Sequence, residues 1–230
     1  MCRHVGYIGN QKPLKDALFN KKHSIIEMAY KPKEMQEAKL NADGFGIGWI
    51  NNNQFYTYKN QYPIWNDTNV FSLCENLHSK LIIGNVRSAT ITENNGLQNT
   101  HPFKYDKFMF SHNGYIANFE TKNKVKLIEK IENRFLNLLK GNTDSEYIFF
   151  LFLQCFEYKK NIILALKETV YILKSLGSKI LLNILLGYRT HENKVKLYAT
   201  RIGLNSKAPT LYFRKDTKEN GYYISSEKMD

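Results

Sequence analysis

Cysteine is scarce in this 230-residue chain, and its three copies are an odd number that cannot complete a disulfide framework. A reducing, cytoplasmic setting is the simpler expectation. No stretch rich in Pro, Gly or Ser divides the sequence, and no internal repeat is present, so one domain over residues 1–230 is expected. Long apolar runs are missing too. Tyr147–Phe156 is too short to span a bilayer and contains Gln154, and Asn161–Leu173 is interrupted by Lys167 and Glu168. The start, Met1-Cys2-Arg3-His4, has neither the apolar core nor the cleavage site of a secretory signal. Acidic residues are outnumbered, 21 against 33 basic, for a net charge of +12. That balance permits an anionic partner. No basic-aromatic motif accompanies it, so neither nucleic acid nor membrane is expected as a partner. His4, His101 and His112 do not have metal-ligand spacing and no paired cysteines occur, so no metal or cofactor is expected.

What is present is an ordinary globular composition, 43% hydrophobic and 13% aromatic. Strand-like runs rich in β-branched and aromatic residues lie at His4–Ile8, Gly46–Ile50, Gln54–Tyr58, Leu81–Val86 and Phe108–Ser111. Helices are expected at His23–Tyr30 and Asn69–Ser79. The middle is helical, with Val125, Ile128, Ile131, Phe135 and Leu138 on one face of Lys122–Leu139. Thr143-Asp144-Ser145-Glu146 matches a capping box opening a helix over Ser145–Tyr158. A further helix carries Ile163, Leu166, Val170 and Leu173 and ends near Gly177. Strands return at Lys179–Leu186, Lys194–Thr200, Thr210–Phe213 and Gly221–Ser225. Strands, then helices, then strands indicate an α+β layered domain. Cys74 and Cys155 read as core residues, and His23, His78 and His191 as surface residues.

Five features could carry chemistry. Cys2 follows the initiator, so removal of Met1 would put a thiol and a free α-amine on one residue. An amine with an ordinary pKa of about 7.7–8.0 can take the thiol proton. Asn113-Gly114 closes the apolar run Phe108–Ser111. Asn-Gly is foremost a tight-turn dipeptide; it can also offer a side-chain amide and a backbone N–H converging on an oxyanion. Arg87, in Gly84-Asn85-Val86-Arg87-Ser88-Ala89-Thr90, ends an apolar strand in a chain with few arginines. Its guanidinium fits a carboxylate through two hydrogen bonds, or a surface salt bridge. Asp144 suits the positive end of a helix, or a substrate ammonium. Asn41-Ala42-Asp43-Gly44-Phe45-Gly46-Ile47-Gly48-Trp49 lacks the ending of a phosphate loop and reads as a turn into a closely packed strand.

In order along the chain, Cys2, Asp43-Gly44, Val86-Arg87-Ser88, Asn99-Thr100-His101-Pro102-Phe103, His112-Asn113-Gly114 and Thr143-Asp144-Ser145-Glu146 resemble the class II glutamine amidotransferases of the N-terminal-nucleophile hydrolase superfamily. Met1-Cys2-Arg3-His4, the Asn41–Trp49 segment and Pro63-Ile64-Trp65 look most like the ergothioneine-biosynthesis γ-glutamyl amidohydrolases. The resemblance implies a four-layer αββα sandwich. It implies Cys2 as nucleophile, Asn113 and Gly114 as the oxyanion hole, Arg87 on the substrate α-carboxylate and Asp144 on its α-ammonium. It implies a γ-glutamyl small molecule as substrate. A glutaminase module supplying ammonia to a synthase partner would use the same residues, and a homodimer is equally compatible. A basic binding module without chemistry fits the charge but not the complete set of site residues. Arg3, Trp49 and Trp65 are candidates for contacting a cationic or aromatic leaving group, or for packing.

Overall fold

The computed structural model describes residues 1–35, 40–89, 96–217 and 220–229. Thr90, which closes the arginine-bearing segment, lies outside them. The first half holds β1 (Arg3–Pro13), α1 (Leu14–Leu18), α2 (Ile25–Tyr30), β2 (Phe45–Asn51), β3 (Gln54–Asn60), α3 (Thr68–Asn76), β4 (His78–Val86), β5 (Phe103–Tyr105) and β6 (Phe108–Ile116). Helices α4 (Lys124–Ile128), α5 (Asn133–Leu136), α6 (Asp144–Lys159) and α7 (Ile162–Lys174) follow. The chain closes on β7 (Ile180–Arg189), β8 (Val195–Leu204), β9 (Tyr212–Asp216) and β10 (Gly221–Ser225).

Three apolar clusters show how these elements stack. Leu14, Leu18, Ile25, Met28, Val70 and Cys74 from α1–α3 bury one face of β1, β2 and β4 through Val5, Tyr7, Ile47 and Val86. A second cluster joins α6 and α7 to β6 and β7, with Phe149, Phe152, Leu166 and Leu173 against Phe110, Leu182 and Leu186. The third lies between the sheets, where Ile50, Phe55, Leu81 and Ile83 meet Met109 and Leu185. Three cores separate four layers, helix, sheet, sheet, helix, as the α+β four-layer αββα expectation requires. One sheet has six strands in the order β3-β2-β4-β1-β10-β9, the other four in the order β5-β6-β7-β8. The pairings within them are antiparallel. No helix among the described residues is long and apolar enough to cross a membrane.

Local chemistry accounts for some of the helix starts. Asp67 caps α3 by accepting from the N–H groups of Asn69 and Val70. Asn161 does the same for α7 through Ile163 and Leu164. Cys74 and Cys155 are buried in α3 and α6.

Several expectations need correction. The helix expected over Lys122–Leu139 is a π-helical turn, Phe119–Asn123, followed by the short α4 and α5. At the break, Gln154 of α6 accepts from Glu132 N at 2.8 Å and donates to Lys130 O at 3.0 Å, serving backbone groups that a continuous helix would pair internally. Val125 faces solvent and Leu127 the core. In α7 the buried face begins at Ile162, leaving Ile163 exposed. The helix expected over Asn69–Ser79 ends at Asn76, and His78 already opens β4. The capping box does not form: Thr143 makes no side-chain cap, and the Glu146 carboxylate instead accepts from the N–H groups of Lys140 and Gly141. His23 is buried rather than exposed, because a buried carboxylate, Glu227, receives its Nε2–H at 2.7 Å.

Candidate functional site

Strand register decides what stands beside Cys2. In the antiparallel pair β1–β4, Arg3 lies opposite Val86. One step beyond, Cys2 therefore meets Arg87-Ser88, and its Sγ lies 4.0 Å from the Ser88 carbonyl oxygen. The β2–β4 ladder extends the same way, Arg87 N donating to Gly44 O at 2.8 Å and Asp43 N to Arg87 O at 3.1 Å. The Arg87 guanidinium is buried, not a surface salt-bridge partner, and its Nη1 donates to the Asp43 carbonyl at 3.3 Å. The Asp43 carboxylate in turn accepts from Ala89 N at 2.8 Å. The segment Asn41–Trp49 is the closely packed strand entry expected of it: a Cβ on Gly46 would stand 2.0 Å from the His101 carbonyl oxygen.

The other sheet supplies the opposite wall. Asn113-Gly114 is not a turn; it lies inside β6, with Asn113 opposite Asn183 and Gly114 opposite Leu182. Glycine is required there by a close backbone approach, since a Cβ would fall 1.8 Å from Leu181 O and 2.6 Å from His112 Nε2. Gly114→Ala should therefore push β6 from β7 and lower stability by about 3 kcal/mol. Denaturant unfolding of the variant measures this, and an unchanged midpoint would contradict the geometry.

Asp144 opens α6 with its Oδ2 accepting from Ile116 N at 2.7 Å, so helix and strand end are tied at the site. Burial raises the Asp144 carboxyl above the usual range, while His112, the Ile116 and Ser145 N–H groups and the Ser145 hydroxyl pull the other way. Burial lowers His112, which is opposed by the Asp144 charge and the Leu181 carbonyl. That carbonyl, at 2.9 Å, only accepts, so His112 Nε2 carries the hydrogen. The hydroxyl of Ser145 bridges His112 Nδ1 at 2.8 Å and Asp144 Oδ1 at 3.2 Å. Burial, with His112 and Arg3 nearby, also pushes His4 down to about 3, and burial with neighbouring cations and histidines lowers His101 well below its ordinary value. His4 and His101 are thereby kept neutral near the site. Among the described residues no group of three or more His, Cys, Asp and Glu could hold a metal ion.

A cavity of about 430 Å³ brings Cys2, Arg87, Gly114 and Asp144 to one surface, with Asn99, His101 and the Tyr115–Thr121 stretch completing it. Asn113, the residue before Gly114, is not on that surface: it is fully buried, with Nδ2 donating to Ser226 Oγ at 3.3 Å. The cavity thus gathers a cysteine, an arginine and an aspartate from three separate elements of the chain. Arg3, Trp49 and Trp65 are not part of the wall: Arg3 is buried on Glu227, Trp49 stacks on Tyr56 and Trp65 packs edge-on against Tyr30. Nothing in the sequence marks Ser145, Ser226 or Glu227 as residues near the site. Ser145 belongs to a tetrad that matches a helix cap, and Ser225-Ser226-Glu227 matches no motif.

Two stacked antiparallel sheets between helical layers, with the N-terminal segment at a cavity, define an α+β sandwich of the N-terminal-nucleophile hydrolase type. Solved structures agree on the fold. A glutamine aminotransferase class-II domain protein from Silicibacter pomeroyi superposes with TM-score 0.72 at 24% identity, covering 97% of this chain and 88% of that one. The glutamine phosphoribosylpyrophosphate amidotransferase of B. subtilis gives 0.60 at 16% identity, covering 98% of this chain and 42% of that one. The family description of class-II glutamine amidotransferases matches residues 21–187, and the chain belongs to that family. Arg87, Asn113, Gly114 and Asp144 fall inside the match, whereas Cys2 precedes it. Among curated relatives, the probable glutamine amidotransferase DUG3 of Saccharomyces cerevisiae is 34% identical over 165 residues, 66% of this chain and 45% of its own length. The gamma-glutamyl-hercynylcysteine sulfoxide hydrolase of Mycobacterium tuberculosis is 29% identical over 116 residues, half of each chain. The chain thus spans about half the length of the curated relatives it matches.

Proposed function

We propose that the chain is a cysteine-dependent amidohydrolase that cleaves a γ-glutamyl amide, with γ-glutamyl-hercynylcysteine sulfoxide or a similar γ-glutamyl small molecule as substrate. The observation that carries this reading is the convergence of Cys2, Arg87, Gly114 and Asp144 on one cavity from the N-terminus, β4, β6 and α6. Arg87 takes the α-carboxylate of the γ-glutamyl group and Asp144 its α-ammonium. This fixes the chain direction and presents the γ-carbonyl to Cys2.

Once Met1 is removed, the Cys2 α-amine accepts the Sγ proton. The thiolate attacks the γ-carbonyl carbon and forms the S–C bond, and the negative oxygen is met by the Gly114 N–H and the Asn113 amide. The ammonium returns the proton to the leaving nitrogen, and the C–N bond breaks. Water then attacks the thioester, the C–S bond breaks, the thiol recovers its proton and glutamate departs.

Intact-mass spectrometry before and after treatment with a diazo-ketone glutamine analogue tests this. The expected result is a chain lacking Met1 that gains one adduct, on Cys2. A chain that keeps Met1 and takes no adduct would sink the reading. The likeness to a probable glutamine amidotransferase favours a second reading, a glutaminase supplying ammonia to a synthase partner. Turnover separates the two: efficient release of glutamate from a sulfur-linked γ-glutamyl conjugate, with glutamine a poor substrate, supports the first.

A further inference from the structure

Nucleophile and oxyanion donor sit on different sheets, so something must set the distance between them. The segment just beyond β10 reaches both. Ser226 N donates to His4 O at 3.0 Å. Its Oγ accepts from His4 N at 2.9 Å and from Asn113 Nδ2 at 3.3 Å. The Ser226 carbonyl is itself anchored by Thr210 Oγ1 at 2.9 Å. One residue on, the Glu227 carboxylate is wholly buried and accepts Arg3 Nε at 2.7 Å, while Arg3 Nη1 donates to the Cys2 carbonyl at 3.0 Å. His23 Nε2 and the N–H groups of Lys33 and Glu34 complete its shell at 2.7, 2.8 and 3.1 Å. Burial alone would raise the Glu227 carboxyl, yet these donors hold it below the usual range.

A buried ion pair is weak evidence for stability, because desolvation offsets most of the attraction. What this one does geometrically is fix the carbonyl of the residue that bears the thiol. Ser226 acts in the same sense on the other partner. With one Nδ2 hydrogen engaged by its Oγ, the Asn113 amide plane is set and the second N–H has a defined direction. Neither Ser226 nor Glu227 lines the Cys2 cavity.

Resting on the reading of Cys2 as nucleophile, we propose that Ser226 and Glu227 are positioning residues that fix the oxyanion donor Asn113 and the nucleophile Cys2 relative to one another. Ser226 works through the Asn113 amide, Glu227 through Arg3 on the Cys2 carbonyl.

The rate of Cys2 alkylation by the diazo-ketone glutamine analogue, measured to saturation on the full chain, tests this. Ser226→Ala and Glu227→Gln should each slow the saturated rate by about 10- to 100-fold, as misplacement of reacting groups by about 1 Å does. Half-saturation should move by less than about threefold, since the binding groups stay in place. Thr169→Val, which removes an equally buried hydroxyl from α7, should leave the rate unchanged. The double variant Asn113→Ala/Ser226→Ala should be no slower than Asn113→Ala alone, because Ser226 acts through that amide. Equal rates in folded Ser226→Ala and wild type, additive effects in the double variant, or equal slowing in Thr169→Val would each overturn the proposal. Glu227→Gln preserves shape and carries the test should Ser226→Ala not fold. Failure of wild-type Cys2 to react at all instead overturns the reading beneath it.

Discussion

Replacing Cys2 by alanine is expected to lower hydrolysis of a γ-glutamyl anilide by about 10,000- to 1,000,000-fold, the scale on which loss of a covalent nucleophile is felt. The thiol is the strongest nucleophile on the cavity wall; the hydroxyls that line it with Cys2, Ser88 and Ser145 among them, are far weaker without a base to activate them. Binding should survive. Arg87 remains tied to the Asp43 carbonyl and Asp144 to Ile116 N, and neither contact involves Sγ. Glutamate should therefore protect the alanine variant and the wild type alike against thermal unfolding. Stability itself should change little, because the substitution removes a single sulfur atom whose hydrogen bond to Ser88 O is long, at 4.0 Å. Cys2→Ser separates nucleophilicity from shape. It keeps a hydroxyl in place but must deprotonate an alcohol rather than a thiol of ordinary pKa about 8.5, so it should be nearly as inactive. Anilide release by the alanine variant within about tenfold of wild type would remove Cys2 from the reaction.

The layered fold was legible because each layer writes its own period. The alternating and β-branched runs from His4 to Val86 and the near-continuous apolar stretch Tyr147–Phe156 led to strands and to a buried helix, and both formed. Arg87 at the end of an apolar strand and Asp144 at a helix start were visible as well, because a charge bordering an apolar run stands out. Other features were hidden for physical reasons. Asn-Gly has the highest local preference for a turn, but the ladder from Phe108 to Ile116 paired with β7 overrides it, and no local propensity reveals a pairing partner some seventy residues away. Glu227 was invisible for the same reason: its partners Arg3 and His23 are 224 and 204 residues distant in sequence. The capping box failed because Glu146 found the N–H groups of Lys140 and Gly141, in a loop whose path no motif announces. Residues that stand out against their own local run could be read; residues whose surroundings are made wholly by distant partners could not.

Asn113→Ala is expected to slow turnover by about 100- to 1,000-fold, equivalent to about 2.7–4 kcal/mol of transition-state stabilisation. The charge appears only after attack. The γ-carbonyl oxygen is neutral in the bound substrate and negative in both tetrahedral intermediates, so a donor aimed at it contributes to kcat and little to KM. Acylation and deacylation pass through the same oxyanion, so both steps should slow together and no thioester should accumulate, unlike a defect confined to water attack. The fold tolerates the change. Asn113 is fully buried, but its amide gives one hydrogen bond at 3.3 Å, and Ser226 Oγ retains the His4 N–H at 2.9 Å after truncation. A stability loss of about 1 kcal/mol is expected. Asn113→Asp keeps the volume and replaces the donor by an acceptor, adding repulsion of the developing oxyanion, so it should be slower still. Steady-state kinetics on the three proteins decide the matter: an Asn113→Ala enzyme with near-normal kcat, or one whose defect lies wholly in KM, would take Asn113 out of the oxyanion hole and leave that role to the Gly114 N–H alone.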